Sequence, residues 1–169
     1  MFKFKLKVYY EDTDAGGVVY YANYLKFIER ARTNFIQELG FTLNDLRDQH
    51  NSLFIVRKIN CDYFQSAKLE DQLTIESKII KLKKASFEIE QKILRDDIEL
   101  FNSNVLIVCI DNDGRPKKIP DKLFSFLIKK WKKFFNPLSN KLNHLIYSNF
   151  KLLWKKNSIK NFPTIKNFG

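Results

Sequence analysis

Apolar and polar residues alternate along the first ten positions of the chain, and this alternation predicts a strand. The lysines stand between the apolar residues, which are Phe2, Phe4, Leu6, Val8 and Tyr10. Because successive side chains of a strand point to opposite faces, residues 2–10 are expected to cover a core with one face only. A polar, glycine-containing turn is predicted next, over residues 11–17.

A helical period replaces the alternation after this turn. Apolar residues recur at every third or fourth position, at Tyr24, Ile28, Ala31, Phe35 and Leu39. That spacing predicts a buried helix from about Asn23 to Leu39, roughly 25 Å long at about 1.5 Å per residue. Gly40 follows as a natural C-cap. The chain is then expected to run as a loop through His50.

Four more strands are predicted in the second third of the chain, over residues 53–64, 72–82, 86–94 and 104–110. The links between them are short, and short links force antiparallel pairing. One long apolar helix and five antiparallel strands favour an α+β domain of two layers, with the sheet wrapped around the helix.

Two basic helical stretches follow this domain. Over residues 121–136 the apolar residues share one helical face and lysines occupy the other, until Pro137 ends the pattern. Ser139 is predicted to cap a second helix that reaches Leu153. Residues 129–169 hold ten lysines and no acidic residue, so they carry almost all of the net charge of +11. We therefore predict a near-neutral domain, residues 1–128, and a basic amphipathic helical extension, residues 129–169.

The composition excludes several classes of protein. No apolar run approaches the about 18 residues of a membrane span, and the first residues lack the apolar core of a signal peptide, so a cytoplasmic protein is expected. The cysteines, Cys61 and Cys109, lack the spacing of a zinc site. Two free thiols and no metal or redox cofactor are expected.

The densest chemistry lies in residues 9–24, which read YYEDTDAGGVVYYANY. Glu11, Asp12 and Asp14 precede two glycines, and the predicted helix follows. A helix N-terminus exposes unpaired N–H groups that can stabilise an oxyanion beside a carboxylate. This layout suits hydrolysis of an acyl compound. By spacing alone, a solvated turn is the simpler interpretation.

A longer stretch carries a resemblance to a known family. VYYEDTDAGGVVYYANYLKFIERARTNF resembles the signature of the 4-hydroxybenzoyl-CoA thioesterase group, and most closely its Tol-Pal-associated acyl-CoA thioesterase branch. The likeness extends over roughly residues 5–122. It implies the hotdog fold, a curled antiparallel sheet around one central helix. It also implies hydrolysis of an acyl-CoA thioester and a homodimer or homotetramer joined edge to edge.

The resemblance assigns roles to three residues. Asp14 matches the catalytic carboxylate, either as a nucleophile that forms a mixed anhydride or as a general base for water. Tyr21 matches the residue whose backbone N–H polarises the substrate carbonyl, and Gly17 shapes the turn before it. The Tol-Pal branch usually carries His at position 21. Tyr keeps the backbone N–H and removes a group that titrates near neutral pH.

Four further residues are weaker candidates. Tyr10 could donate a hydrogen bond in the site. Lys83 and Lys84 match a turn where related enzymes place basic residues against the CoA phosphates, with a solvated turn as the alternative. Glu29 could be a second carboxylate, as in another hotdog branch, or could pair with Arg30, Arg32 or another neighbour.

The basic extension leaves several interpretations open. Amphipathic helices with Lys, Trp and Phe suit an anionic membrane surface, and packing on the domain or on a partner subunit is the alternative. The Lys, Asn and Phe content could also reflect a coding bias. Nucleic acid is not the expected partner, because the domain itself is near neutral. The rival to an enzyme is a non-catalytic hotdog adaptor for acyl carrier protein or an envelope complex.

Overall fold

The structure, a computed structural model, describes residues 1–135 and contains one antiparallel sheet and three α-helices over that range. The elements are β1 (Phe2–Lys7), a 3₁₀ turn (Tyr10–Asp12), α1 (Asn23–Glu38), α2 (Leu43–His50), β2 (Leu53–Tyr63), β3 (Gln72–Lys83), β4 (Ser86–Arg95), β5 (Ile98–Ile110) and α3 (Asp121–Phe135). The strand order is β1-β3-β4-β5-β2, and every neighbouring pair is antiparallel. The predicted α+β architecture is confirmed.

The core lies between one face of the sheet and helix α1. Phe27, Ile28 and Ala31 on α1 are fully buried, and they face alternate residues of the inner strands, among them Ile75, Ile89, Ile93 and Val105. The remaining positions of β4 are only partly buried, so the sheet has the expected two-faced pattern. α1 ends in a Schellman motif, in which Gly40 has a φ of +83° and Phe41 N–H donates to Ile36 O at 3.3 Å.

A polar layer crosses this core beneath α1. Gln91 on β4 is fully buried, and its Nε2 donates to Ile28 O and to Ser77 Oγ, both at 3.0 Å. Its Oε1 accepts from Arg32 Nη1 at 2.8 Å. Ser103 Oγ on β5 donates to Gln91 O at 3.3 Å. Burial lowers the pKa of Arg32, against the opposing charge of Glu29.

The predicted first strand is wrong at its end. β1 stops at Lys7, and Val8, although buried, donates its N–H to Asp71 O at 3.0 Å. Tyr10 lies in the 3₁₀ turn and is 82% exposed instead of facing the core. The reason is local, because the Asp12 carboxylate accepts Tyr9 N–H at 2.9 Å and turns the chain.

The predicted loop through His50 is also wrong, because α2 occupies most of it. Thr42 and Asp45 form a capping box, with Asp45 N–H donating to Thr42 Oγ1 at 3.0 Å. Leu46 supplies the buried face. The Thr-x-x-Asp spacing was the signal for this helix, and Asn51, at a φ of 46°, ends it.

Helix α3 packs on the domain. Leu123 and Leu127 are fully buried in the common core, and Lys130 Nζ lies 2.7 Å from Glu38 Oε1 at the end of α1. The helix runs without a break through residue 128, where we placed the boundary between domain and extension. Within residues 1–135 no helix is long and apolar enough to cross a membrane. The second predicted helix lies outside the described residues.

Candidate active site

A tight turn before α1 carries Asp14. The Asp14 N–H donates to Val18 O at 2.9 Å, and the Gly17 N–H returns to Asp14 O at 3.0 Å. Gly17 adopts a φ of +72°, a conformation that favours glycine. The Asp14 side chain is exposed, and its Oδ1 accepts Gly16 N–H at 2.8 Å. Across residues 1–135 no hydrogen bond occupies Oδ2, so this oxygen is available to a ligand.

Tyr21 stands two residues before α1, next to the Asp14 turn. Its side chain is 62% exposed, and its ring contacts that of Tyr20 in a tilted arrangement, with centroids 4.6 Å apart and planes at 53°. The Tyr20 N–H donates to Asp12 O at 2.9 Å, and the Asn23 N–H donates to Tyr20 O at 2.8 Å. No acceptor in the described part of the chain takes the Tyr21 N–H. A backbone donor and a carboxylate oxygen are therefore both available here.

An open cleft of about 300 Å³ joins these groups. Four aromatic residues contribute to its walls, and the lining comprises Asp14, Val18, Val19, Tyr21, Tyr24, Tyr63, Phe64, Gln65 and Ser66. Tyr63 hydroxyl donates to Tyr21 O at 3.2 Å, and buried Tyr24 hydroxyl accepts Ala67 N–H at 2.8 Å. Burial raises the pKa of both tyrosines, so both phenols are protonated at neutral pH.

Among the candidates from the sequence, Asp14 and Tyr21 meet in this cleft, and Gly17 lies in the Asp14 turn. Tyr10 is exposed in the 3₁₀ turn and does not line the cleft. Lys83 ends β3 and Lys84 lies in the turn after it. The cleft adjoins the opposite end of β3, because Val18 of the cleft pairs with Lys68, four residues before β3 begins. The length of β3, about 35 Å, therefore separates Lys83 and Lys84 from the cleft.

Glu29 also lies away from the cleft. It is exposed on α1 and accepts a hydrogen bond from Thr33 Oγ1 at 2.8 Å. It makes no ion pair with the arginines among the described residues. Glu29 and Arg32 instead border a separate, mostly apolar cavity of about 140 Å³ between α1 and the sheet.

Tyr63 and Phe64 were missed as cleft residues by the sequence analysis. They lie about forty positions after Tyr21, and only the pairing of β2 with β5, which sets Tyr63 opposite Phe101, brings them to α1. Two adjacent aromatic residues at the end of a strand were the one available signal. Within residues 1–135, no three His, Cys, Asp or Glu side chains are grouped as a metal site.

Comparison with known proteins decides the family. A sequence model described as the thioesterase-like superfamily matches residues 8–127, which include the Asp14 turn, α1 and the whole cleft. The chain belongs to the thioesterase-like superfamily. It is 43% identical over 110 residues to the acyl-CoA thioesterase YbgC of Haemophilus influenzae, covering 65% of this chain and 81% of that protein. The acyl-CoA thioester hydrolase YbgC of Escherichia coli O6:H1 is 38% identical over 125 residues, 73% and 92% of the two chains.

Solved structures of other proteins share the fold. The crystal structure of a probable thioesterase from Bartonella henselae matches 70% of this chain and 98% of its own, with a TM-score of 0.68 and 36% identity. A Staphylococcus aureus protein solved in complex with CoA has a TM-score of 0.73 at 18% identity, over 82% and 87% of the two chains. The predicted hotdog fold and thioesterase resemblance are confirmed.

Proposed function

We propose that this chain is an acyl-CoA thioesterase that converts a thioester and water into a carboxylic acid and free CoA. The observation that carries this proposal is the placement of a free carboxylate oxygen, on Asp14, and a free backbone N–H, on Tyr21, in one cleft. The relatives named above support the substrate class.

The reaction needs a nucleophile and a site for the developing oxyanion. In one route Asp14 attacks the carbonyl, the C–S bond breaks, and water then hydrolyses the mixed anhydride. In the other route Asp14 takes a proton from water, which attacks directly. The Tyr21 N–H donates to the oxyanion in both routes, and the departing thiolate of CoA takes up a proton.

The first experiment is thiol release from short, long and aromatic acyl-CoAs by wild type and by Asp14→Asn. This isosteric change removes the reacting charge, and we expect turnover to fall by about 10³-fold or more. Asp113→Asn is the matched control, since Asp113 lies on an exposed turn remote in sequence and its side chain forms an ion pair only with Arg115 among residues 1–135. Equal release by wild type and Asp14→Asn would contradict the assignment of Asp14. No release by a folded wild type would favour the adaptor.

The proposal includes a homodimer joined at the β2 edges. β2 is an edge strand with Ile55, Val56 and Tyr63 exposed, and such an edge is normally paired or covered. Lys83 pairs with Ser86, Ser86 with Val108 and Val108 with Ile55, so these residues form one row across the sheet. Symmetric antiparallel pairing sets the Ile55 end of one β2 beside the Tyr63 end of its partner.

This pairing would give Lys83 and Lys84 a role in CoA binding. In this dimer Lys83 would lie four strand spacings, about 19 Å, from the partner's β2, near the end of that strand that borders the partner's cleft. A Lys83→Glu, Lys84→Glu double variant is expected to raise KM for acyl-CoA with kcat retained. Mixing this double variant with Asp14→Asn should restore activity at low substrate concentration. In a mixed dimer, one of the two sites combines the intact Asp14 of the double variant with the intact Lys83 and Lys84 of the Asp14→Asn subunit. Activity equal to the average of the two samples would contradict the shared site. Tyr10, which is exposed in the 3₁₀ turn before Asp14, is kept in the proposal as a hydrogen-bond donor to the substrate.

We also propose a cytoplasmic location with contact to an anionic membrane surface through the basic extension. On α3, Lys122 and Lys129 are exposed while Leu123 and Leu127 are buried, so α3 itself would contribute charge and not inserted side chains. Binding to vesicles should therefore require anionic lipid and should fall as salt is raised. Equal binding to zwitterionic vesicles would contradict this proposal.

A further inference from the structure

Asn23, the first residue of α1, makes an unusual hydrogen bond. Its side chain is 6% exposed, and the preceding N-cap residue, Ala22, has no side-chain cap. Instead of capping the helix, Asn23 Nδ2 donates to the backbone carbonyl of Asp12, eleven residues earlier, at 2.9 Å. The side-chain amide therefore joins α1 to the segment that leads into the Asp14 turn.

The Asp12 carbonyl is shared by two donors. It accepts from Asn23 Nδ2 and from the Tyr20 N–H, each at 2.9 Å, while the Asn23 N–H donates to Tyr20 O at 2.8 Å. A carbonyl oxygen has two lone pairs, so its capacity is filled. Asp12 precedes Asp14 by two residues, and Tyr20 directly precedes Tyr21. The three bonds form a clasp, Asp12–Tyr20–Asn23, between the arm that carries Asp14 and the arm that carries Tyr21.

Two residues of the clasp, Asp12 and Asn23, are buried, whereas the groups that the clasp separates are exposed. Asp12 is itself buried, and its carboxylate is held by the Tyr9 N–H at 2.9 Å. Asp14 is exposed and has one side-chain hydrogen bond, to the Gly16 N–H. The clasp therefore helps to set the distance between the Asp14 carboxylate and the Tyr21 N–H, together with the bond from the Tyr63 hydroxyl to Tyr21 O.

We propose that Asn23 is a positioning residue for thioester hydrolysis, which keeps the Asp14 carboxylate and the Tyr21 N–H at the separation that the transition state requires. This inference rests on the proposed function. Both groups must reach the same carbonyl carbon and oxygen, and a displacement of about 1 Å can cost roughly a hundredfold in rate. The other aromatic residues of the cleft, Tyr24, Tyr63 and Phe64, are not members of the clasp.

The test compares Asn23→Ala with Asn34→Ala in steady-state hydrolysis of the best acyl-CoA. Asn34 is a matched control, because it lies on the same helix and its Nδ2 donates to a backbone carbonyl, Arg30 O, at 2.9 Å. We expect Asn23→Ala to lower kcat about tenfold with KM changed by less than about twofold. Asn34→Ala should match wild type. A kcat for Asn23→Ala within about twofold of wild type would overturn the inference.

Asn23→Asp supplies a second readout, which a purely structural role would not move. This isosteric side chain can donate to Asp12 O only when it is protonated, and burial favours the protonated form. The kcat of Asn23→Asp relative to wild type should therefore rise as the pH is lowered from about 8 to about 5.5. A flat ratio over this range would overturn the inference. Inactivity of folded wild type toward every acyl-CoA would instead overturn the proposed function, and the inference with it.

Discussion

The two ends of helix α1 are built in opposite ways. At its N-terminal end the rings of Tyr21, Tyr63 and Phe64 are about half exposed or more. At its C-terminal end, Phe41 is buried against Phe126 of α3, with ring centroids 6.3 Å apart, and α2 packs alongside. The last carbonyls of α1 are satisfied by the Schellman motif, whereas the Tyr21 N–H is not donated within residues 1–135.

This difference separates stability from chemistry along one helix. Satisfied backbone groups and buried side chains hold the closed end. At the open end the Tyr21 N–H and one Asp14 carboxylate oxygen have no hydrogen-bond partner within residues 1–135. Changes at the closed end should therefore alter the free energy of unfolding and leave kcat of the folded protein unchanged. The following variants test this separation.

The largest effect is expected for Leu127→Ala at the closed end. Leu127 is fully buried between α3 and the domain, and its truncation leaves a cavity. We expect a loss of about 3 kcal/mol in the free energy of unfolding, measured by urea denaturation. Ser125→Ala on the same helix is the control, since Ser125 is exposed. A loss of less than about 1 kcal/mol would show that α3 is not part of the cooperative core.

Tyr24→Phe tests the packing beneath the open end. The change removes the hydroxyl that accepts the Ala67 N–H and leaves a buried donor unpaired, so we expect a loss of about 1–3 kcal/mol at neutral pH. Burial raises the pKa of Tyr24 in the folded state. Its contribution is thus fully present below the unfolded value of about 10 and is lost as the pH rises through the folded value. The difference between wild type and Tyr24→Phe should shrink above about pH 10, whereas Tyr9→Phe, at an exposed position, should match wild type throughout. A difference that grows with pH would contradict the sign.

A smaller effect is expected from the cap of α2. Thr42→Ala removes the hydroxyl that accepts the Asp45 N–H, and we expect a loss of about 1 kcal/mol, measured as a shift in the urea midpoint. Thr42→Ser keeps the hydroxyl and should lose much less. If both variants were equally destabilised, the methyl group and not the cap would be responsible.

The smallest effect is expected from Glu38→Gln, which breaks the ion pair with Lys130. Both side chains are partly exposed, so the loss should be about 0.5 kcal/mol or less. It should disappear near 1 M salt, where the screening length is about 3 Å. A salt-independent loss above about 1 kcal/mol would mean that the pair orients α3.

Periodicity was enough to predict α1 and most of the sheet, because these elements bury one face against a single core. It failed where local hydrogen bonds decide the conformation. Asp12 ends the first strand early, and the Thr42–Asp45 capping box makes a helix from a segment with little apolar pattern. β5 also begins at Ile98, six residues earlier than expected, after a turn at Asp96 and Asp97 that uses positive φ angles.

The candidate site shows the same division. Asp14, Gly17 and Tyr21 were proposed from the family resemblance, since all three fall in one short motif. In the structure Asp14 and Tyr21 line one cleft, and Gly17 lies in the Asp14 turn. Tyr63 and Phe64 reach the cleft through strand pairing, which depends on the whole sheet. The clasp at Asn23 depends on side-chain geometry at the start of a helix, so the pattern of apolar and polar residues could not predict it.

The polar layer beneath α1 has a consequence for how far the helix can slide. A wholly apolar interface between a helix and a sheet tolerates small displacements of the helix, because one methyl group can replace another. Gln91 on the sheet instead donates a hydrogen bond to the Ile28 carbonyl of α1, and Arg32 of α1 donates one to the Gln91 side chain. A shift of α1 by one turn, about 5.4 Å, would leave these buried polar groups without hydrogen-bond partners. Each unpaired group would cost about 1–3 kcal/mol of stability. The layer therefore fixes α1 at one position along the sheet, and with α1 the turn that carries Asp14.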